Sequence, residues 1–218
     1  MRTALRLLAG TTVLLALVGC GDKAAPAGGS ASAAAPAKSA APKAASATPA
    51  TASAAPSAAA LPPRDDCPKD SAGAGTLEQP CEGKGTARMM EVKWTGKTDD
   101  KGPSFAVTNK APKPVLYGKI AVFFYDKDGK QLEAKVGDKK MPYLVCAGSN
   151  LFSGIMKVDE KATLTFSCVK KDDVPEGTAA IEGEMVTVGF ADASEKASEY
   201  FWRNKDLAPD TRPKGGVK

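Results

Sequence analysis

The chain of 218 residues contains no histidine. That absence removes Ser-His and Cys-His nucleophile pairs, which need an imidazole to take the proton, and with it a common zinc ligand. None of its five cysteines forms a C-x-x-C pair, so a four-thiolate metal site is disfavoured. Apart from Leu7 to Val18 there is no long apolar run, and that one is shorter than the roughly 20 residues that span a bilayer. No extended stretch carries a helical period. A positive excess exists, formally +5, but it sits at the front. Six of the 30 basic residues and one of the 25 acids precede residue 65, so 24 of each remain beyond it. A folded part balanced in this way lacks the clustered basic excess of a nucleic-acid binder.

What is present begins with Arg2 and Arg6, the apolar run, and Leu17-Val18-Gly19-Cys20. A basic start, a short apolar core and small residues before a cut describe a secretory signal peptide over residues 1–19. The Leu-Val-Gly-Cys ending is similar to the lipobox of bacterial lipoproteins. The resemblance implies that the Cys20 sulfur receives diacylglycerol and that Cys20 becomes the mature N-terminus. Several acyl chains would then hold the protein on a membrane that it does not span. Gly21 stands where inner-membrane lipoproteins of enteric bacteria carry Asp, which leans the expected address to the outer membrane. The folded part would lie in the periplasm or at the cell surface.

Residues 20–63 are Ala/Pro/Ser-rich from Lys23 onward, with no aromatic residue. Such a composition buries too little apolar surface to offset the entropy of ordering, and recurrent prolines interrupt any helix. This reads as a disordered linker, on the order of 130 Å at full stretch. With Cys20 lipidated, four cysteines remain in an exported chain: Cys67, Cys81, Cys146 and Cys168. They predict two disulfides, of which three connectivities are possible. The local pairs Cys67–Cys81 and Cys146–Cys168 are expected.

Residues 64–90, rich in Gly, Asp and Pro, read as a loop-like segment stapled by the first pair. From Glu91 the apolar period becomes two, which is the signature of half-buried strands. Val92 and Trp94 alternate with polar neighbours, as do Phe105 and Val107. Val115 to Tyr125 is the strongest strand, with Leu116, Ile120, Val122 and Phe124 on one face. Phe123 and Tyr125 make its other face partly apolar, which predicts a central strand or one covered at that end. Asp126-Lys127-Asp128-Gly129 reads as a turn, and Leu132 to Val136 as the returning strand. The alternation Leu164, Phe166, Cys168 places Cys168 inward, facing an inward Cys146. Ile181 to Phe190 is the last clear strand. The fold class expected for residues 91–190 is all-β, an antiparallel immunoglobulin-like β-sandwich. Residues 191–218 are expected to pack irregularly. Within them, Asp192-Ala193-Ser194-Glu195 fits a helix-capping box, and Glu199 to Trp202 fits an edge strand equally well.

Val115–Lys130, ending in Phe123-Phe124-Tyr125-Asp126-Lys127-Asp128-Gly129-Lys130, resembles the FxLYD-type domains of bacterial envelope proteins. There a Val-rich strand enters an aromatic-Tyr-Asp-x-x-Gly hairpin, and Asn109 fits the Asn that follows an earlier strand. The resemblance implies an immunoglobulin-like fold over about Glu91 to Phe190 and no catalytic site. The Cys146–Cys168 pair departs from it.

Ser167 and Lys170 match the S-x-x-K spacing, but on a strand residues three apart point to opposite faces. The acid pairs Asp65-Asp66, Asp99-Asp100 and Asp172-Asp173 lie in loops and read as solvated. Asp126-x-Asp128-Gly129 lacks the spacing of an EF-hand. Lys139-Lys140 and Lys170-Lys171 could face anionic lipid or polysaccharide, yet Asp138 and Asp172-Asp173 cancel much of their field. No catalytic, cofactor-binding or metal residue is therefore assigned. The expectation is a membrane-anchored, non-catalytic binding or structural module whose partner is another envelope protein or a polysaccharide. An envelope hydrolase or cell-wall-modifying enzyme with an unrecognised site is the alternative.

Overall fold

In the computed structural model, residues 60–217 are described. The expected signal peptide, Cys20 and all but the end of the linker lie outside them. The described residues contain eleven strands and no α-helix. They are β1 (Cys81–Glu82), β2 (Met90–Asp99), β3 (Gly102–Asn109), β4 (Val115–Tyr125), β5 (Gln131–Leu132) and β6 (Ala134–Val136). β7 (Lys139–Met141), β8 (Leu144–Gly148), β9 (Lys161–Thr165), β10 (Ala180–Ala191) and β11 (Ser198–Arg203) complete the set.

One layer runs β2-β3-β9, all antiparallel. The other runs β11-β10-β4, with β8 and β5 both pairing the far side of β4. Three strands facing β8-β4-β10-β11 reproduce the A-B-E and C′-C-F-G strand order of an immunoglobulin-like sandwich. The layers meet closely at Gly183 of β10, where an added Cβ would lie 2.9 Å from Val92 and 3.4 Å from Phe105. Ile120, Val122, Phe124, Met185, Val188, Phe105 and Val107 are all buried in this core. Buried Leu- to Phe-sized side chains stabilise by about 1.5–3 kcal/mol each, so their alternation on facing strands specifies the layer arrangement.

The strong central strand is as its sequence implies. β4 is sandwiched between β10 and β8, and Phe123 and Tyr125 on its outer face are fully buried. The turn after it also holds. Gly129 has φ +79°, and Asp126 Oδ1 accepts from the Asp128 and Lys130 amides at 2.9 Å each. That carboxylate oxygen closes the hairpin.

Three expectations need correction. Leu132 to Val136 is not one returning strand: β5 pairs β4 for two residues only, and β6 leaves to form a separate hairpin with β7. β9 ends at Thr165, and the Val169 amide bonds the Phe166 carbonyl (2.9 Å) in a turn, so Cys168 is exposed and not inward. Phe166 keeps the strand parity and is buried; one turn later the parity no longer applies. Residues 192–195 form no helix. Asp192 Oδ1 and Oδ2 accept from the Ser194 hydroxyl (2.8 and 2.9 Å), and Oδ1 also accepts the Ser194 amide, tightening a loop between β10 and β11.

Residues 64–90 form loops around β1, which pairs in parallel with β11 and so covers its edge. An uncovered edge would offer its backbone groups to another chain. After β11 the chain packs without strands. Asn204, buried, donates to the Gly85 and Ala87 carbonyls at 3.0 Å each and ties this segment to the N-terminal loops.

Candidate functional site

Both expected disulfides form. Cys67–Cys81 and Cys146–Cys168 each have Cα atoms 5.6 Å apart, within the usual range for such bonds. The first fixes the N-terminal loops beside β11. The second ties β8, an edge strand of one layer, to the turn following β9 of the other. Cys146 is buried and Cys168 exposed, so this bond joins core to surface.

The S-x-x-K pair fares differently from its strand-based reading. Ser167 and Lys170 lie on the turn past β9, and both line one open cleft of about 670 Å³ with Asp100, Lys101, Lys171 and Asp172. No hydrogen bond joins Ser167 to Lys170 among the described residues. Lys171 pairs with Asp100 at 3.2 Å, and the Asp173 carboxylate accepts the Lys170 amide at 3.0 Å. The cleft mixes both signs of charge. Asp66 is likewise engaged: the hydrogen bond from Arg64 (2.7 Å) holds its carboxyl below the usual carboxylate range. Lys139 and Lys140 are exposed on β7, and Lys140 lies 3.7 Å from Glu133.

The outer face of β4 and β10 has two contrasting ends. At one, the C-terminal segment crosses over Phe123 and Tyr125. Arg212, 4% exposed, lies 4.7 Å above the Phe123 ring, and its Nη2 donates to Glu184 (2.9 Å) and Glu182 (3.0 Å). Arg88 adds a two-pronged contact to Glu184, at 2.8 and 2.9 Å. Burial pulls the Arg212 guanidinium down, but Glu184 and Glu182 more than offset it and leave it raised. The Tyr125 hydroxyl, buried here without a hydrogen-bond partner, is pushed up to about 12 by burial and by the Glu182 charge. This end is a clamp that fastens the chain terminus.

The other end is open. Lys119, Thr187 and Arg203 stand in register across β4, β10 and β11. Strands two apart put Lys119 and Arg203 roughly 10 Å from each other. A bulge between Met185 and Thr187 adds Val186 to the same surface. Together with Lys205, Ala121, Tyr143, Val145 and Ala208, these residues line a cavity of about 250 Å³ that has three cations and no carboxylate. Lys205 pairs with Glu82 at 3.3 Å. Lys119 and Arg203 have no ion-pair partner among the described residues, and Arg203 Nε is buried without a hydrogen bond. Thr187 is only 4% exposed, and its hydroxyl bonds no protein group among the described residues. Two residues further along each strand, the Tyr117 and Phe201 rings meet edge-on at 5.4 Å across Gly189, where an added Cβ would lie 2.8 Å from either.

None of Lys119, Thr187, Arg203 or Lys205 is singled out by the sequence pattern. Outward parity within the strongest strand identifies Lys119 as surface, but nothing in one dimension puts Arg203 beside it, because the register of β11 is a tertiary fact. The chain matches no family model, and neither a curated protein nor a solved structure matches it.

Proposed function

We propose that the protein is a lipid-anchored envelope protein whose β-sandwich, held out on the linker, acts as a non-catalytic binding module. The observation that carries this is Leu17-Val18-Gly19-Cys20 at the end of a basic, apolar leader. Two disulfides suit an oxidising envelope compartment. The FxLYD-like hairpin is consistent with the same setting. Among the described residues an open cationic surface stands on a sheet face. Fold by itself assigns no activity; the binding reading rests on that surface.

The test is Cys20→Ala followed by fractionation and intact-mass analysis. The wild-type chain should start at an acylated Cys20 and sediment with membranes, and the variant should be unacylated and leave them. Retention of an unacylated variant in the membrane fraction would overturn the anchoring reading.

A further inference from the structure

We propose that the cleft between Lys119, Thr187 and Arg203 binds a carboxylate of an acidic polysaccharide. This deepens the binding reading above by naming its ligand class. Three features converge. Lys119 and Arg203 on the lining have no ion-pair partner among the described residues, and Arg203 offers a planar fork suited to a two-oxygen acid. The nearly buried Thr187 hydroxyl lies between the two cations with no protein partner, in place to accept from or donate to a ligand hydroxyl. Ala121, Val145, Val186 and Ala208 add apolar surface to the lining, which a bare inorganic anion would leave unused.

A sugar acid meets all three, because it carries a carboxylate and hydroxyls on a ring whose C–H face is apolar. The half-buried Tyr117 and Phe201 rings beside the cleft extend the surface for a neighbouring sugar. At about 250 Å³ the cavity is smaller than a drug-sized site, roughly 300–1,000 Å³, and so takes one unit of a longer chain. Concavity argues against a flat lipid surface: Arg203 is half-buried and cannot lie along headgroups as an exposed lysine can.

The detergent-solubilised full chain is titrated with galacturonate oligomers, with neutral dextran oligomers, with dextran sulfate and with glycerol phosphate. The galacturonate oligomers should bind and neutral dextran should not. Arg203→Gln should weaken binding at least about tenfold, in line with losing a charged hydrogen-bonding group. Arg203→Lys should fall between, and Lys119→Gln should cost several-fold. Lys171→Gln, on the other cleft, should change nothing. Absent free thiols and an unchanged thermal midpoint show that each variant is folded, and Lys119 is exposed enough to be replaced without disturbing the core.

No binding by the wild-type chain overturns the proposal. So does an equal loss with Lys171→Gln, which would mean diffuse charge attraction. Tighter binding of dextran sulfate or glycerol phosphate would overturn the carboxylate assignment, glycerol phosphate in favour of a lipid headgroup. Failure of Cys20→Ala to leave the membrane would refute the anchor while leaving these titrations unaffected, so the two readings fail separately.

Discussion

At one end of the outer face of β4 and β10, Glu184 is held by two arginines under a covering strap. At the other, two strand residues away, Lys119 and Arg203 face a cleft with no acid in its lining. The same sheet face therefore carries matched charge where it is covered and unmatched charge where it is open. Buried ions need partners because their desolvation is expensive, and this explains why the strap end is paired. At the open end Lys119 is exposed and needs no partner, while the half-buried Arg203 keeps its Nε without one. The difference separates a feature that maintains the fold from one that is free to serve a ligand.

The contrast is broken most severely by Glu184→Gln. This leaves Arg88 without its carboxylate and Arg212 with only Glu182, at 3.0 Å. Breaking a buried pair costs about 3–5 kcal/mol, and the surviving Glu182 contact sets the expected loss near ~3 kcal/mol. Urea unfolding should show a lower midpoint with the slope unchanged. A loss under ~1 kcal/mol would mean that the strap is not held by this cluster.

A comparable loss is expected at the open end from a covalent change. Replacing Cys146 and Cys168 together by serine frees β8, which borders the cleft through Val145, from the turn after β9. The chain-entropy account gives about 3 kcal/mol for a loop of this length. If the double variant unfolds at the wild-type urea midpoint, β8 is held by its pairing with β4 alone.

How much of this contrast was legible in one dimension depends on range. Phe123 and Tyr125 interrupt the outward polarity of β4, and they do mark the covered end. Cys67–Cys81 and Cys146–Cys168 follow from locality, and the Asp126–Gly129 turn follows from its residue types. The clamp is invisible because its members, Arg88, Glu182, Glu184 and Arg212, come from three distant segments joined only by folding. Pro209 and Gly215-Gly216 make the last stretch look unstructured, yet Arg212 within it is buried. Parity fails for Cys168 for the opposite reason. The β9 ladder ends at Thr165, and a local turn from Phe166 to Val169 takes Cys168 out of the alternation.

Alkaline titration sharpens the comparison more gently. Tyr125 at the covered end has its pKa raised to about 12, against an ordinary value of 10.0. A raised folded-state value means that its stabilising share is complete below pH 10. It is then lost as pH climbs toward 12, because the unfolded chain gives up that proton first. Tyr125→Phe removes a hydroxyl that has no hydrogen-bond partner, so it should cost little at pH 7 and flatten the fall in stability above pH 10. An unchanged alkaline profile would show that this phenol does not limit alkaline stability.

The smallest expected effect is the most diagnostic of the open end. Arg203 has no ion pair or side-chain hydrogen bond among the described residues to lose, and it is half-buried beside Lys119 in the same row. Arg203→Gln should shift stability by no more than about ±0.5 kcal/mol, the usual range for a side chain without structural partners. Removing a like charge from the row works slightly in the variant's favour, and lost packing of the arginine stem slightly against it. Thermal unfolding at low salt resolves a change of this size in a domain of this length. A drop of 2 kcal/mol or more would place Arg203 with Arg212, as a residue that the fold itself requires, and the distinction between the two ends would disappear.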